Sequence, residues 1–103
     1  MRFMLKMDMP VDRGNAVIKD GSLGPTLQSI LEDLKPEAAY FADIEGARGG
    51  YLVVHMDDAS QIPAFAEPLF LGLGATLHAH PVFTPEDMPR AMEGVEQAAQ
   101  KYG

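Results

Sequence analysis

A small α+β fold built on one four-stranded antiparallel sheet is predicted by three features of the chain. Four short segments, 2–9, 38–44, 51–56 and 76–83, are rich in β-branched, aromatic or Met residues and are bounded by Pro, Gly or Asp. Two segments between them repeat apolar residues at helical spacing. A third helical segment closes the chain.

The first strand alternates through Phe3, Met4, Leu5, Lys6, Met7 and Asp8 and stops at Pro10. After it, Leu23, Leu27, Ile30, Leu31 and Leu34 fall on one helical stripe. That helix can reach back to residue 13, with a kink or break at Gly21, Gly24 and Pro25, and Lys35-Pro36 ends it. The second and third strands flank Glu45-Gly46-Ala47-Arg48-Gly49-Gly50, a glycine-rich turn that makes them a hairpin. The next helix carries Ile62, Phe65, Ala66, Leu69, Phe70 and Leu73. Asp58 or Ser60 is its cap, Pro68 should bend it, and Gly72 and Gly74 should end it. Thr84-Pro85-Glu86-Asp87 is a start signal for the last helix, whose apolar face is Met88, Ala91, Met92, Val95, Ala99 and Tyr102.

The order is therefore β-α-β-β-α-β plus a C-terminal helix. This is the split arrangement of the ferredoxin-like fold, with strand order 4-1-3-2. The first and third strands are the most continuously apolar, as central strands should be. Asp43 on the second, and Thr76, His78, His80 and Pro81 on the fourth, suit edges. The 103 residues fit one domain, 1–103.

Two helices cover only one face of such a sheet. Alternation turns Phe3, Leu5, Met7, Leu52, Val54, Met56, Leu77, Ala79 and Phe83 toward them. It leaves Met4, Lys6, Asp8, Tyr51, Val53, His55, Thr76, His78, His80 and Val82 on the other face, with Tyr40 or Phe41 depending on register. Four strands of about six residues give that face roughly 400 Å², the upper end of what a soluble monomer exposes. A second copy or the terminal helix should cover it, and a homodimer with sheets facing each other is the economical solution.

Composition narrows the partners. Eight Lys and Arg against 15 Asp and Glu leave a net charge of −7. Such a surface repels phosphate backbones and anionic headgroups, which argues against nucleic acid and membrane. The single Arg48-Gly49-Gly50 is a turn rather than an RNA-binding tract. No cysteine is present, so disulfides and thiolate chemistry are excluded. Lys6 and Asp8 interrupt the apolar N-terminus and argue against a signal peptide, so a cytoplasmic location is expected.

Layout and size resemble the dimeric α+β barrel proteins, in which two ferredoxin-like sheets enclose a small cavity. Gly50-Tyr51 opening the third strand, Pro68-Leu69-Phe70 ending the second helix and His80-Pro81 near the end of the fourth strand resemble muconolactone isomerases. Leu71-Gly72-Leu73 stands where that pattern has a further Pro and an aromatic. The chain is also similar in layout to cofactor-free antibiotic-biosynthesis monooxygenases, but has no Trp. The resemblance implies a fold and a cavity between sheets, and assigns no catalytic residue.

Chemistry concentrates on the open face. His78 and His80 are two apart on a strand, about 6.7 Å between Cα atoms, so both imidazoles reach one ligand. Lys6 lies on the neighbouring strand, and His55 on the third strand shares the face. Histidine is the side chain that exchanges protons near neutral pH. His78, His80 and Lys6 are the candidate catalytic set, for cofactor-free acid–base chemistry on a small organic molecule. His55, Tyr51, Tyr40 and Met4 are the candidate ligand-binding set. Three bland or rival readings stand beside this one. The histidines can be solvated edge residues with Lys6 snorkelling to the rim. The faces can simply complete each other's core in a non-catalytic module. A metal on His55, His78 and His80 comes last, because Lys6 would repel a cation. No cofactor is implied. Asp57-Asp58 are helix-capping acids, Glu32 and Asp33 a solvated face, and Gly21-Ser22-Leu23-Gly24 lacks the spacing of a phosphate loop.

Overall fold

Residues 1–103 are described by a computed structural model. Strand β1 (Arg2–Asp8) leads to helices α1 (Val11–Lys19) and α2 (Leu23–Leu34), then to β2 (Ala38–Ile44) and β3 (Ala47–His55). A 3-10 turn (Ala59–Gln61) opens α3 (Ile62–Leu73). Strand β4 (Thr76–Val82), a second 3-10 turn (Pro85–Asp87) and α4 (Met88–Tyr102) complete the chain. The strands form one antiparallel sheet in the order β2-β3-β1-β4. Read from the opposite edge this is 4-1-3-2, and the arrangement is compatible with a ferredoxin-like fold. No helix is long and apolar enough to cross a membrane.

The core sits between the sheet and helices α1, α2 and α3. Burial along β1 alternates strictly, with Phe3, Leu5 and Met7 turned inward, and β3 contributes Leu52 and Val54. Leu5, Leu52, Val54 and Leu69 are completely shielded, and Ile30, Leu34 and Leu73 close the layer from the helices. Leu77 and Ala79 pack on this cluster only in part, because β4 is an edge strand.

Local signals placed most boundaries, and the departures have physical causes. The hairpin turn is only Glu45-Gly46. Both residues have positive φ, 51° and 83°, as a two-residue turn between twisted strands requires, so β3 starts at Ala47. Arg48, Gly49 and Gly50 are therefore strand residues, not loop. Their glycines answer close backbone approach: a Cβ at Gly49 would collide with the Met7 carbonyl, and one at Gly50 with the Tyr40 carbonyl. Gly50-Tyr51 thus lies inside β3 instead of opening it.

The expected kink near Gly21 is a complete break between two helices, with Gly21 at φ 78° and Pro25 accommodated in the first turn of α2. Lys35 takes a left-handed conformation (φ 47°) before Pro36 and ends α2. Asp58 caps the 3-10 turn by accepting from the Ser60 N–H (2.6 Å), and the Ser60 hydroxyl, followed by this N–H, holds its carboxyl below the usual carboxylate range. Helix α3 continues through Pro68 and Gly72 and stops only at Gly74, so Pro68-Leu69-Phe70 is helix interior. At Gly72 a side chain would crowd Ile30 and Thr26 of α2. Phe70 and Phe83, both expected inside, are exposed.

The largest departure is α4. Thr84 and Asp87 form the predicted start as a reciprocal capping box. Yet the helix has no buried residue and packs chiefly on the turn that begins it. It projects from the body, so that the longest dimension of the whole chain reaches 59 Å and its radius of gyration is 17.2 Å. A compact chain of this length would have about 13 Å. The terminal helix does not cover the open sheet face.

Candidate functional site

Strand register decides what meets on the open face. Tyr40 is opposite Tyr51, Tyr51 is opposite Lys6, and Lys6 is opposite His78. These four residues form one row across all four strands. The register also settles the second strand, since Tyr40 shares the face of Tyr51 while Phe41 lies opposite Gly50 on the helix side. The adjacent row runs Ala38, Val53, Met4 and His80. Directly opposed side chains in an antiparallel pair have Cβ atoms about 4.5–5.5 Å apart. Lys6 is therefore flanked by a phenol on one side and an imidazole on the other, with His80 one row away.

None of Tyr40, Tyr51, Lys6, His78 or His80 has a side-chain hydrogen bond or ion pair within the chain. Met4, Lys6, Tyr51 and Val53 are half-buried by their neighbours, whereas Tyr40, His78 and His80 are exposed. In the next row toward the end of β1, Asp8 lies opposite Thr76 and accepts from its hydroxyl (2.5 Å). The face is a mixed surface, apolar under Met4 and Val53 and polar along Lys6 and the histidines.

His55 departs from the expected cluster. It lies opposite Arg2, two strands from β4, and its Nε2 is 3.0 Å from Glu37 Oε1. Glu37 also accepts from the Arg2 guanidinium. That hydrogen bond, aided by the charges of Arg2 and His55, holds the Glu37 carboxyl below the usual range and raises Arg2. The three histidines do not converge, and no group of three His, Asp or Glu side chains is placed to hold a metal. Sequence reasoning had no signal for Glu37, which precedes β2 and reaches Arg2 across 35 residues of chain.

A second feature lies on the opposite side of the sheet. At the end of β1 and the start of β3, a groove of about 590 Å³ opens between the hairpin and the starts of α1 and α2. Met7, Val11, Leu23, Leu27, Phe41 and Leu73 supply its apolar walls, and Asp43 and Arg48 are at its rim. None of the expected site residues lines it. The sequence carries no signal for it, because Arg48 reads there as part of the glycine-rich turn and only the strand start at Ala47 turns it to the side of Leu52.

The chain matches no protein-family model, and no curated protein sequence matches it.

Proposed function

We propose that the chain acts as a homodimer that encloses a small, largely apolar organic molecule between two open sheet faces and converts it by proton transfer. The observation that carries this reading is the row Tyr40, Tyr51, Lys6 and His78, whose polar groups have no partner within the chain. Such groups on a half-apolar face are suited to a ligand once water is displaced.

In this reading His78 or His80 removes a proton from a carbon beside a carbonyl. Lys6 stabilises the oxyanion that forms, and Tyr51 and Tyr40 orient the substrate by donating from their hydroxyls. Met4 is an apolar wall. On a β,γ-unsaturated carbonyl the resulting dienolate takes the same proton back at the γ-carbon as the double bond shifts to the α,β position, an isomerisation balanced with no redox partner and no cofactor. His55 belongs to the Arg2–Glu37 cluster at the rim and acts there as a structural group.

Dimerisation is supported by two surfaces the chain leaves bare. The open face measures roughly 400 Å² in projection, and α4 presents Met88, Met92, Val95 and Tyr102 to solvent. A second copy that covers both would shield apolar side chains that each chain leaves exposed, as a stable interface does.

The test is sedimentation equilibrium followed by a crystal structure of the assembly. A dimer with a chamber beside Lys6 and His78 is the expected result, and Lys6→Met should abolish ligand density there without changing the fold. A monomer at high concentration would overturn the reading. So would a dimer whose faces interdigitate with no space left, which is the behaviour of a non-catalytic module.

A further inference from the structure

We infer that the helix-side groove is a second, independent ligand site, specific for a carboxylate carried on an apolar body. The groove has the size and lining of a small-molecule pocket: about 590 Å³, walled mainly by aliphatic and aromatic side chains with few polar groups. Phe41 and Val11 each leave more than half of their surface exposed along it. That apolar area is not used by the chain itself.

Arg48 supplies the recognition element. It is turned to the helix side of β3, opposite Asp43, and reaches α1, where one guanidinium nitrogen donates to Asn15 Oδ1 at 3.0 Å. Gly14 makes this path possible, because a Cβ there would come within 2.8 Å of that nitrogen. Arg48 is thereby positioned by a neutral amide and a missing side chain.

The contrast with the other anchored arginines is informative. Arg2 is neutralised by Glu37 and Arg90 by Asp87, while Arg48 has no carboxylate within ion-pair distance. A held guanidinium with spare donors in a fixed fork matches a carboxylate in two-point contact. The adjoining groove would take an alkyl or aryl chain. Two acids also line the groove, Asp8, which accepts from the Thr76 hydroxyl, and Asp43, which has no ion-pair partner, so their charges limit the affinity for any anion.

The probe is decanoate, with decanamide as the uncharged counterpart, titrated into the full chain and followed by backbone amide chemical shifts. Decanoate should shift Phe41, Gly46 and Gly49. Decanamide, and decanoate on Arg48→Met, should each bind about tenfold more weakly or worse, because a charge-assisted hydrogen bond is lost. Asp43→Asn should tighten decanoate binding. A Phe41→Ser variant, whose side chain is outside the core, tests the wall without endangering the fold. Equal affinity of Arg48→Met, or no shift in the groove at millimolar decanoate, would overturn the site. Shifts confined to Lys6, Tyr51 and His78 would also overturn it while supporting the open-face reading, so the two proposals fail separately. Groove shifts that grow with protein concentration alone would mean that a second copy fills the groove, and would sink the carboxylate assignment.

Discussion

The two faces of the sheet are made by the same strands and have opposite fates. On the helix side, Leu5, Leu52 and Val54 are completely shielded and purely apolar. One residue along each strand, Met4, Lys6, Tyr51 and Val53 are only half-buried and mix polar with apolar groups. The helix-side face is satisfied by the chain that carries it, apart from the groove at one end. The open face is not, and neither is α4. A period-two pattern divides one polypeptide into a face that the chain itself buries and a face that it leaves partly exposed.

That contrast is sharpest in neighbouring substitutions. Leu52→Ala should cost about 2–5 kcal/mol, since it removes fully buried methyl groups and leaves a cavity. Val53→Ala, one position on, should cost no more than about 1 kcal/mol while the chain is monomeric. Urea denaturation of dilute protein measures both. Equal losses would mean that the open face already serves as core within one chain. At higher concentration, the cost of Val53→Ala should grow if the face is an interface.

Gly49 probes the sheet itself rather than either face. A methyl group there meets the backbone of β1, which cannot move aside as a flexible side chain can. Gly49→Ala should therefore cost about 1–3 kcal/mol. Gly94→Ala, in the projecting α4 with open space around it, should instead stabilise that helix slightly, by up to about 1 kcal/mol. A tolerated Gly49→Ala, judged by the urea midpoint, would break the account of the hairpin.

The smallest expected effect concerns the rim of the open face. Folding favours the ionised form of Glu37, chiefly through its hydrogen bond from Arg2. Its contribution to stability is therefore present above the ordinary glutamate range and is lost as pH falls through the lowered folded-state value. A side-chain carboxyl NMR titration should give a midpoint below that of a free glutamate. Glu37→Gln should remove this part of the acid sensitivity, and its effect at neutral pH should be slight because the pair is exposed. An unshifted midpoint would dissolve the Arg2–Glu37–His55 cluster.

Legibility followed the range of the interaction. Thr84-Pro85-Glu86-Asp87 announced a helix start because a capping box is built from residues three apart. The groups facing Lys6 were also within reach, since alternation places His78 and Tyr51 on its side of the sheet and the strand order makes them neighbours. His55 was misjudged for a complementary reason: sharing a face says nothing about position along the strand, and register sets it opposite Arg2. The hairpin was misread because Gly49 and Gly50 signal a loop locally, whereas they admit neighbouring backbone in the sheet.

What the sequence by itself determined is the set of elements, their order, the two-sidedness of the sheet and the amphipathic character of the last helix. Each depends on spacings of two to four residues, and those spacings are written directly in the chain. Only the tertiary structure decided that α4 leaves the body, that Glu37 captures Arg2 and His55, and that Arg48 lies over Gly14 beside an apolar groove. These outcomes depend on strand register and on contacts between residues far apart in the chain, 18 positions for His55 and Glu37, 35 for Arg2 and Glu37 and 33 for Arg48 and Asn15, where sequence spacing no longer constrains distance.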